Sequence, residues 1–211
     1  MLTNDDQFAE VCSNFHNQGR GRSLSGPYFT HVPTRGSNLR LCEFQGSLLM
    51  AQTTRVLEQT NRRTENASYL SQLLNEIPGI KPAKLYDGTT RSAFHLYMFR
   101  YDSEKFAGLS RAKFLAALGK EGVPASGGYG MMNKEAYVAG LAKSRHYLKV
   151  YGEKRMKDWL EQTLNCPQND KVCEQAVWFT QTMLLGPKTD MDQIAEAIRK
   201  IQQHAGELAK A

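Results

Sequence analysis

Apolar and polar positions follow two rhythms along this 211-residue chain. A spacing of three to four, the mark of one helix face, first appears at Phe8, Val11, Cys12 and Phe15. With Asn4 as cap, and Asp5 and Asp6 in a first turn where the dipole favours anions, it predicts a helix over 4–15. The spacing returns at Leu41, Phe44, Leu48 and Ala51. Before it stand Gly36, which can take backbone angles closed to other residues, and Ser37 and Asn38, both good cap types. The pattern runs on through Val56, Leu70, Leu73, Leu74 and Ile77, with Glu58, Arg62 and Glu65 on the outer face. So long a helix is expected to break or kink, and Pro78-Gly79 to stop it.

Beyond residue 90 the rhythm changes. Residues 93–101 are apolar or aromatic at almost every position and predict a covered strand. Ser110 then caps a helix carrying Phe114, Leu115 and Leu118, with Gly122 at its C′ position. Val123 to Ala125 predict a short strand leading into Ser126-Gly127-Gly128-Tyr129-Gly130. Strand, helix and strand in this order make an α/β layer. Residues 133–164, with scattered aromatics at Tyr137, Tyr147, Tyr151 and Trp159, have weak periodicity and read as loops and short helix. Residues 176–180 form another short strand. The clearest helix closes the chain, with Thr189 and Asp192 as a capping box and Met191, Ile194, Ile198, Ile201, Ala205 and Leu208 as its core stripe.

Composition narrows the function classes. The length suits one domain, or one and part of another, at about 100–200 residues each. No run of about 18 apolar residues exists, so no membrane-spanning helix is expected. The opening Met1-Leu2-Thr3-Asn4-Asp5-Asp6 is no secretory signal. Cys12, Cys42, Cys166 and Cys173 lack C-x-x-C or zinc spacing, which predicts no metal site and suits a reducing cytoplasm. The net charge of +6 is spread out, with no basic stripe of the kind nucleic-acid modules carry. An acidic, phosphorylated small molecule accounts for it at least as well.

Candidate chemistry centres on residues 34–52. A loop that ends at a helix N-terminus, with Asn38 and Arg40 beside free backbone N–H groups, suits a phosphate or carboxylate; an ordinary capped helix uses the same residues. The stretch 16–27, with His16, Gly19, Arg20, Gly21 and Arg22, is either an anion-binding turn or a surface loop.

Gly36-Ser37-Asn38-Leu39-Arg40-Leu41, followed by Glu43-Phe44-Gln45, resembles the G-x-N-x-R-[ML]-x-E-x-Q signature of the DegT/DnrJ/StrS family. These are pyridoxal-phosphate aminotransferases of fold type I, mostly acting on nucleotide sugars or cyclitols. Leu2 to Asp5, Phe15 to Arg20, Ile77-Pro78-Gly79-Ile80, Phe94-His95-Leu96-Tyr97, Gly108 to Arg111, Glu121-Gly122-Val123-Pro124 and Met191 to Ile194 resemble the family in the same order. Where members often have histidine and tyrosine after the Glu-Gly-[VI]-Pro turn, this chain has Gly127-Gly128-Tyr129.

The resemblance implies an α/β fold. Residues 1–78 would be the mainly helical end of the large cofactor domain with a long interdomain helix. Residues 79–211 would be the small C-terminal α/β domain, a few-stranded sheet packed by helices, with the boundary near 76–84. It implies a homodimer, pyridoxal 5′-phosphate as cofactor, a keto-sugar or cyclitol substrate and glutamate or glutamine as donor. Asn38 would reach the cofactor phosphate of the neighbouring subunit. Arg40 would hold an acidic group of substrate or cofactor, or pair with Glu43. His95 and Tyr97 would face the substrate cleft, or pack in the core; His16 is a further substrate-side candidate. The family's catalytic lysine belongs to a segment that would lie before residue 1. Lys81, Lys84, Lys113, Lys120, Lys200 and Lys210 read as solvated surface charges. Two readings follow: the C-terminal part of such an aminotransferase, inactive alone, or a non-catalytic homologue that binds a partner protein or a phosphorylated ligand.

Overall fold

The computed structural model describes residues 2–19 and 35–210. They form two compact units, residues 1–57 and 58–211. In the first, helix α1 spans Asp6–His16. Its cap is Asp5, not Asn4: the Asp5 carboxylate accepts the Phe8 N–H at 2.9 Å. Helix α2 covers Glu43–Asn75, 33 residues without the expected break. The physical reason is compositional, since no glycine or proline occurs between Gly46 and Pro78.

The start of α2 also differs from expectation. Ser37 and Asn38 lie in extended chain, and the helix begins later, where the Gln45 side chain reaches back to accept the Cys42 N–H at 3.1 Å. That is one half of a capping box, contributed by the glutamine of the motif. The apolar positions that follow are uncovered: Leu41, Phe44, Leu48 and Leu49 are exposed, Phe44 by 76%. Patches of this kind drive association. The chain on its own is therefore expected to self-associate, and a mass by light scattering that stays monomeric as concentration rises would contradict this.

The second unit holds a three-stranded antiparallel sheet in the order β1 (Ile80–Pro82), β2 (Leu96–Tyr101), β3 (Ala176–Thr180). Strand β1 is not legible in the sequence, being short, charged at Lys81 and ended by Pro82, a residue confined to sheet edges. On the covered face Tyr97, Phe99 and Tyr101 alternate with outward residues, and Val177 and Phe179 sit beside them. Leu70 and Leu74 of α2 are buried in the same core. The second compact unit thus takes in the C-terminal part of α2 as well as the sheet.

Helix α3 (Arg111–Lys120) starts as expected: the Ser110 hydroxyl accepts the Lys113 N–H at 3.3 Å, and Gly122 follows in the left-handed region at φ +80°. Phe114 stacks on Tyr101 at 4.3 Å. No strand forms at 123–125; Ser126 alone bridges to Trp178. The weakly periodic stretch is more ordered than its pattern suggested. It folds into α4 (Ala136–Leu141), α5 (Arg145–Tyr151) and α6 (Glu153–Leu164), followed by α7 (Pro167–Gln175). Helix α8 (Lys188–Gln203) buries the expected stripe of Met191, Ile194, Ile198 and Ile201. It lacks the expected capping box: the helix starts at Lys188 with Pro187 as its cap, which places Thr189 inside the first turn, and Asp192 accepts the Tyr69 hydroxyl at 2.5 Å. Helix α9 (Ala205–Lys210) ends the chain, with Leu208 packed against the core.

Candidate functional site

In the first unit the C-terminal end of α1, with the turn after it, and the extended segment 37–39 clasp each other. The Ser37 N–H donates to the Phe15 carbonyl at 2.8 Å, the Gln18 N–H to the Ser37 carbonyl at 3.0 Å, and the Leu39 N–H to the His16 carbonyl at 3.0 Å. Asn17 and Asn38 thus become antiparallel partners. Gly36 makes the approach feasible. A Cβ there would lie 2.3 Å from the Phe15 oxygen and 2.4 Å from the Gly19 nitrogen. Gly36 does not use the left-handed region, so the glycine is required for space and not for its backbone angles.

The clasp positions three of the sequence-predicted residues. Asn38 is exposed; its Oδ1 accepts the Arg40 N–H at 3.4 Å, a long bond, and its Nδ2 has no partner among the described residues. The Arg40 guanidinium donates to Asn17 Oδ1, across the clasp, and not to Glu43. His16 uses Nδ1 to donate to the Ser13 carbonyl at 2.9 Å, closing the end of α1. The arginine pair of the 16–27 stretch, Arg20 and Arg22, lies outside the described residues.

The other two candidates belong to the second unit and separate from each other. His95 is exposed, just before β2. Tyr97 is buried, stacked on Phe179 at 6.1 Å with its hydroxyl 2.8 Å from Ser71 Oγ. Tyr97 does line one wall of a cleft of about 440 Å³, with Ser71, Lys84, Phe94 and Met98; His95 does not. Burial pushes the Tyr97 phenol from 10.0 up to about 12, against the opposing pull of the Ser71 hydrogen bond. Folded and unfolded chains both keep this proton below pH 10, so it leaves stability independent of pH there. Between 10 and about 12 only the unfolded chain loses it, and stability falls as pH rises. Tyr97→Phe is expected to flatten that alkaline loss in urea midpoints, leaving the part due to Tyr101, whose phenol is also raised by burial.

Arg111 entered the sequence reading only as the end of the Gly108 to Arg111 segment, with no role assigned to it. Its Nη1 donates to the carbonyls of Gly127 at 2.8 Å, Cys173 at 2.5 Å and Ala176 at 2.9 Å. One guanidinium thereby ties α3 to the 126–130 loop and to the junction of α7 and β3. Tyr129 in that loop is exposed and stands edge-on to Trp178 at 4.9 Å. The only sequence signal was a glycine pair: a Cβ on Gly127 would crowd the guanidinium at 3.3 Å.

The clasp brings the glycine, asparagine and arginine of the motif together in three dimensions. The profile of the DegT/DnrJ/EryC1/StrS aminotransferase family matches residues 1–199. The chain belongs to that family. An L-glutamine:2-deoxy-scyllo-inosose aminotransferase of Streptoalloteichus tenebrarius is 32% identical over 174 residues, covering 82% of this chain and 40% of that protein. Another, of Streptomyces paromomycinus, is 29% identical over 215 residues, 97% of this chain and 49% of the relative. The chain thus spans less than half the length of these relatives. Among solved structures, 3-amino-5-hydroxybenzoic acid synthase superposes with a TM-score of 0.70 at 24% identity, over 95% of this chain and 48% of that one. The DegT/DnrJ/EryC1/StrS chain therefore has the fold of a fold type I aminotransferase portion. No helix among its described residues is long and apolar enough to cross a membrane.

Proposed function

We propose that this chain is the C-terminal part of a pyridoxal-phosphate-dependent aminotransferase acting on a keto-cyclitol or keto-sugar, with glutamine or glutamate as donor, in the cytoplasm. Residues 1–78 complete its cofactor domain and 79–211 form its small domain. The enzyme works as a homodimer in which each clasp serves the neighbour's site. One observation carries this reading: the backbone pairing of 15–18 with 37–39 leaves the Asn38 amide exposed, with an Nδ2–H donor that has no partner among the described residues. A free, charge-neutral N–H donor fits a phosphate oxygen. The names of the relatives support the cyclitol class and the glutamine donor.

In this reading Asn38 holds the phosphate of the cofactor. Arg40, braced on Asn17, keeps positive charge beside it and prevents the 36–40 segment from swinging away. His16, with Nδ1 committed to Ser13, is left with Nε2 to face a substrate hydroxyl. The bound cofactor supplies the electron sink for the amino-group transfer. In this reading the lysine that carries it lies outside residues 1–211, because no lysine of this chain stands before a G-E-G-G turn. The chain alone is therefore inactive: with pyridoxal 5′-phosphate, L-glutamine and a keto-cyclitol it should give no aminated product, and steady turnover would overturn the reading. In the complete enzyme, Asn38→Ala is expected to weaken cofactor retention about tenfold or more at unchanged circular dichroism, the cost of one hydrogen bond to a charged group. Equal retention in both proteins would remove Asn38 from this role.

A further inference from the structure

A second cluster of charge has no part in the function proposed above. Lys81 and Arg100 are direct partners in the antiparallel register of β1 and β2. Directly opposed side chains share one face with Cβ atoms about 4.5–5.5 Å apart, and like charges so placed repel. Lys171 of α7 joins them along a cleft of about 460 Å³. None of the three side chains makes a hydrogen bond or ion pair among the described residues. Some other cations of this unit do find carboxylates, as Lys134 with Asp170 at 2.8 Å, Arg199 with Glu76 at 2.9 Å and Lys200 with Glu121 at 2.9 Å. The one carboxylate on the cleft wall, Asp102, is engaged in accepting the Glu104 N–H at 3.1 Å. Three cations against one carboxylate leave an excess of two positive charges. The amides of Asn75 and Gln175 complete the polar lining.

We propose that this cleft binds a phosphate monoester, with Arg100 gripping the phosphate through its planar fork, Lys81 and Lys171 neutralising its second charge, and the amides meeting the hydroxyls of the ester. A dianion matches the excess charge. The guanidinium geometry favours phosphate over a single carboxylate. Bringing a dianion between Lys81 and Arg100 also turns a repulsive cross-strand pair into an attractive triad. The site does not depend on the aminotransferase reading, and each can fail without the other.

The test is a thermal melt of the full chain in inorganic phosphate or glycerol 3-phosphate, against sodium chloride of equal ionic strength. The expected result is a saturable rise in melting temperature with both phosphates, since a ligand of the folded state stabilises it by mass action. Equal affinities would mean that the phosphate group alone is read, and tighter glycerol 3-phosphate that the amides read the ester; either supports the site. Arg100→Gln should weaken binding about tenfold or more. Lys171→Gln, an exposed change on α7 that leaves the sheet intact, should weaken it as well, which keeps the test open if the first variant folds poorly. No rise beyond the chloride control, or a rise unchanged in Lys171→Gln, overturns the proposal.

Discussion

Phe179→Ala is expected to lower the stability of the C-terminal unit by about 4 kcal/mol, the usual cost of emptying a buried aromatic position. The ring is 1% exposed and has neighbours on both sides, Phe99 at 5.3 Å and Tyr97 at 6.1 Å. Its loss leaves a void between β3 and the aromatic face of β2 that rigid neighbours fill only in part. Against a total of roughly 5–15 kcal/mol for a domain, such a loss brings the unit close to unfolding. Urea denaturation followed by circular dichroism measures it. Met98→Ala on the outward face of the same sheet, 45% exposed, is the control, with an expected change within about 0.5 kcal/mol. Similar midpoints for the two variants would mean that the β2–β3 face is not the core.

Gly36→Val is expected to have the second-largest effect, concentrated in the first unit. Even the first carbon of the side chain falls 2.3 Å from one backbone atom and 2.4 Å from another, neither of which can move without parting the two segments of the clasp. The three hydrogen bonds of the clasp should open together, and the amides of Gln18, Ser37 and Leu39 should lose their protection from hydrogen exchange. Asn38 and Arg40 then lose their bracing, so in the complete enzyme cofactor retention should fall at least as far as in Asn38→Ala. The C-terminal unit should keep its urea midpoint. Protection unchanged at these three amides would rule out the clasp.

The chain shows where local pattern is enough and where it is not. Strand β3 and the stripe of α8 were legible because their periodicity is the direct consequence of packing on one face. The Ser110 cap was legible because its partner lies three residues away. Ser37 and Asn38 misled for a related reason: short polar side chains serve helix caps and extended turns alike, and the pairing with residues 15–18, far back in sequence, decided between them. The same holds for Asp192, diverted from a cap to Tyr69 across 123 positions. Helices α4 to α6 bury only Val138 and Met156 fully, so little hydrophobic stripe existed to be read. The tie made by Arg111 was not legible because its three partners are main-chain carbonyls, which carry no residue identity.

At the clasp, the motif named the residues and the structure shows why position 36 has room only for glycine. His95 and Tyr97 looked equivalent on a strand of period two. The chain turns at Phe94, whose φ is +47°, and the strand begins only at Leu96, so one ends exposed and the other in the core.

The most direct test of the account is to isolate the protein carrying this chain from its own cells through an antibody to α8. Borohydride reduction then fixes any pyridoxyl group to its lysine, and peptide mapping locates it. The account predicts one labelled lysine, in a segment of the same polypeptide outside residues 1–211. A label on Lys81, Lys84 or any other lysine of this chain, or no label at all, would contradict it.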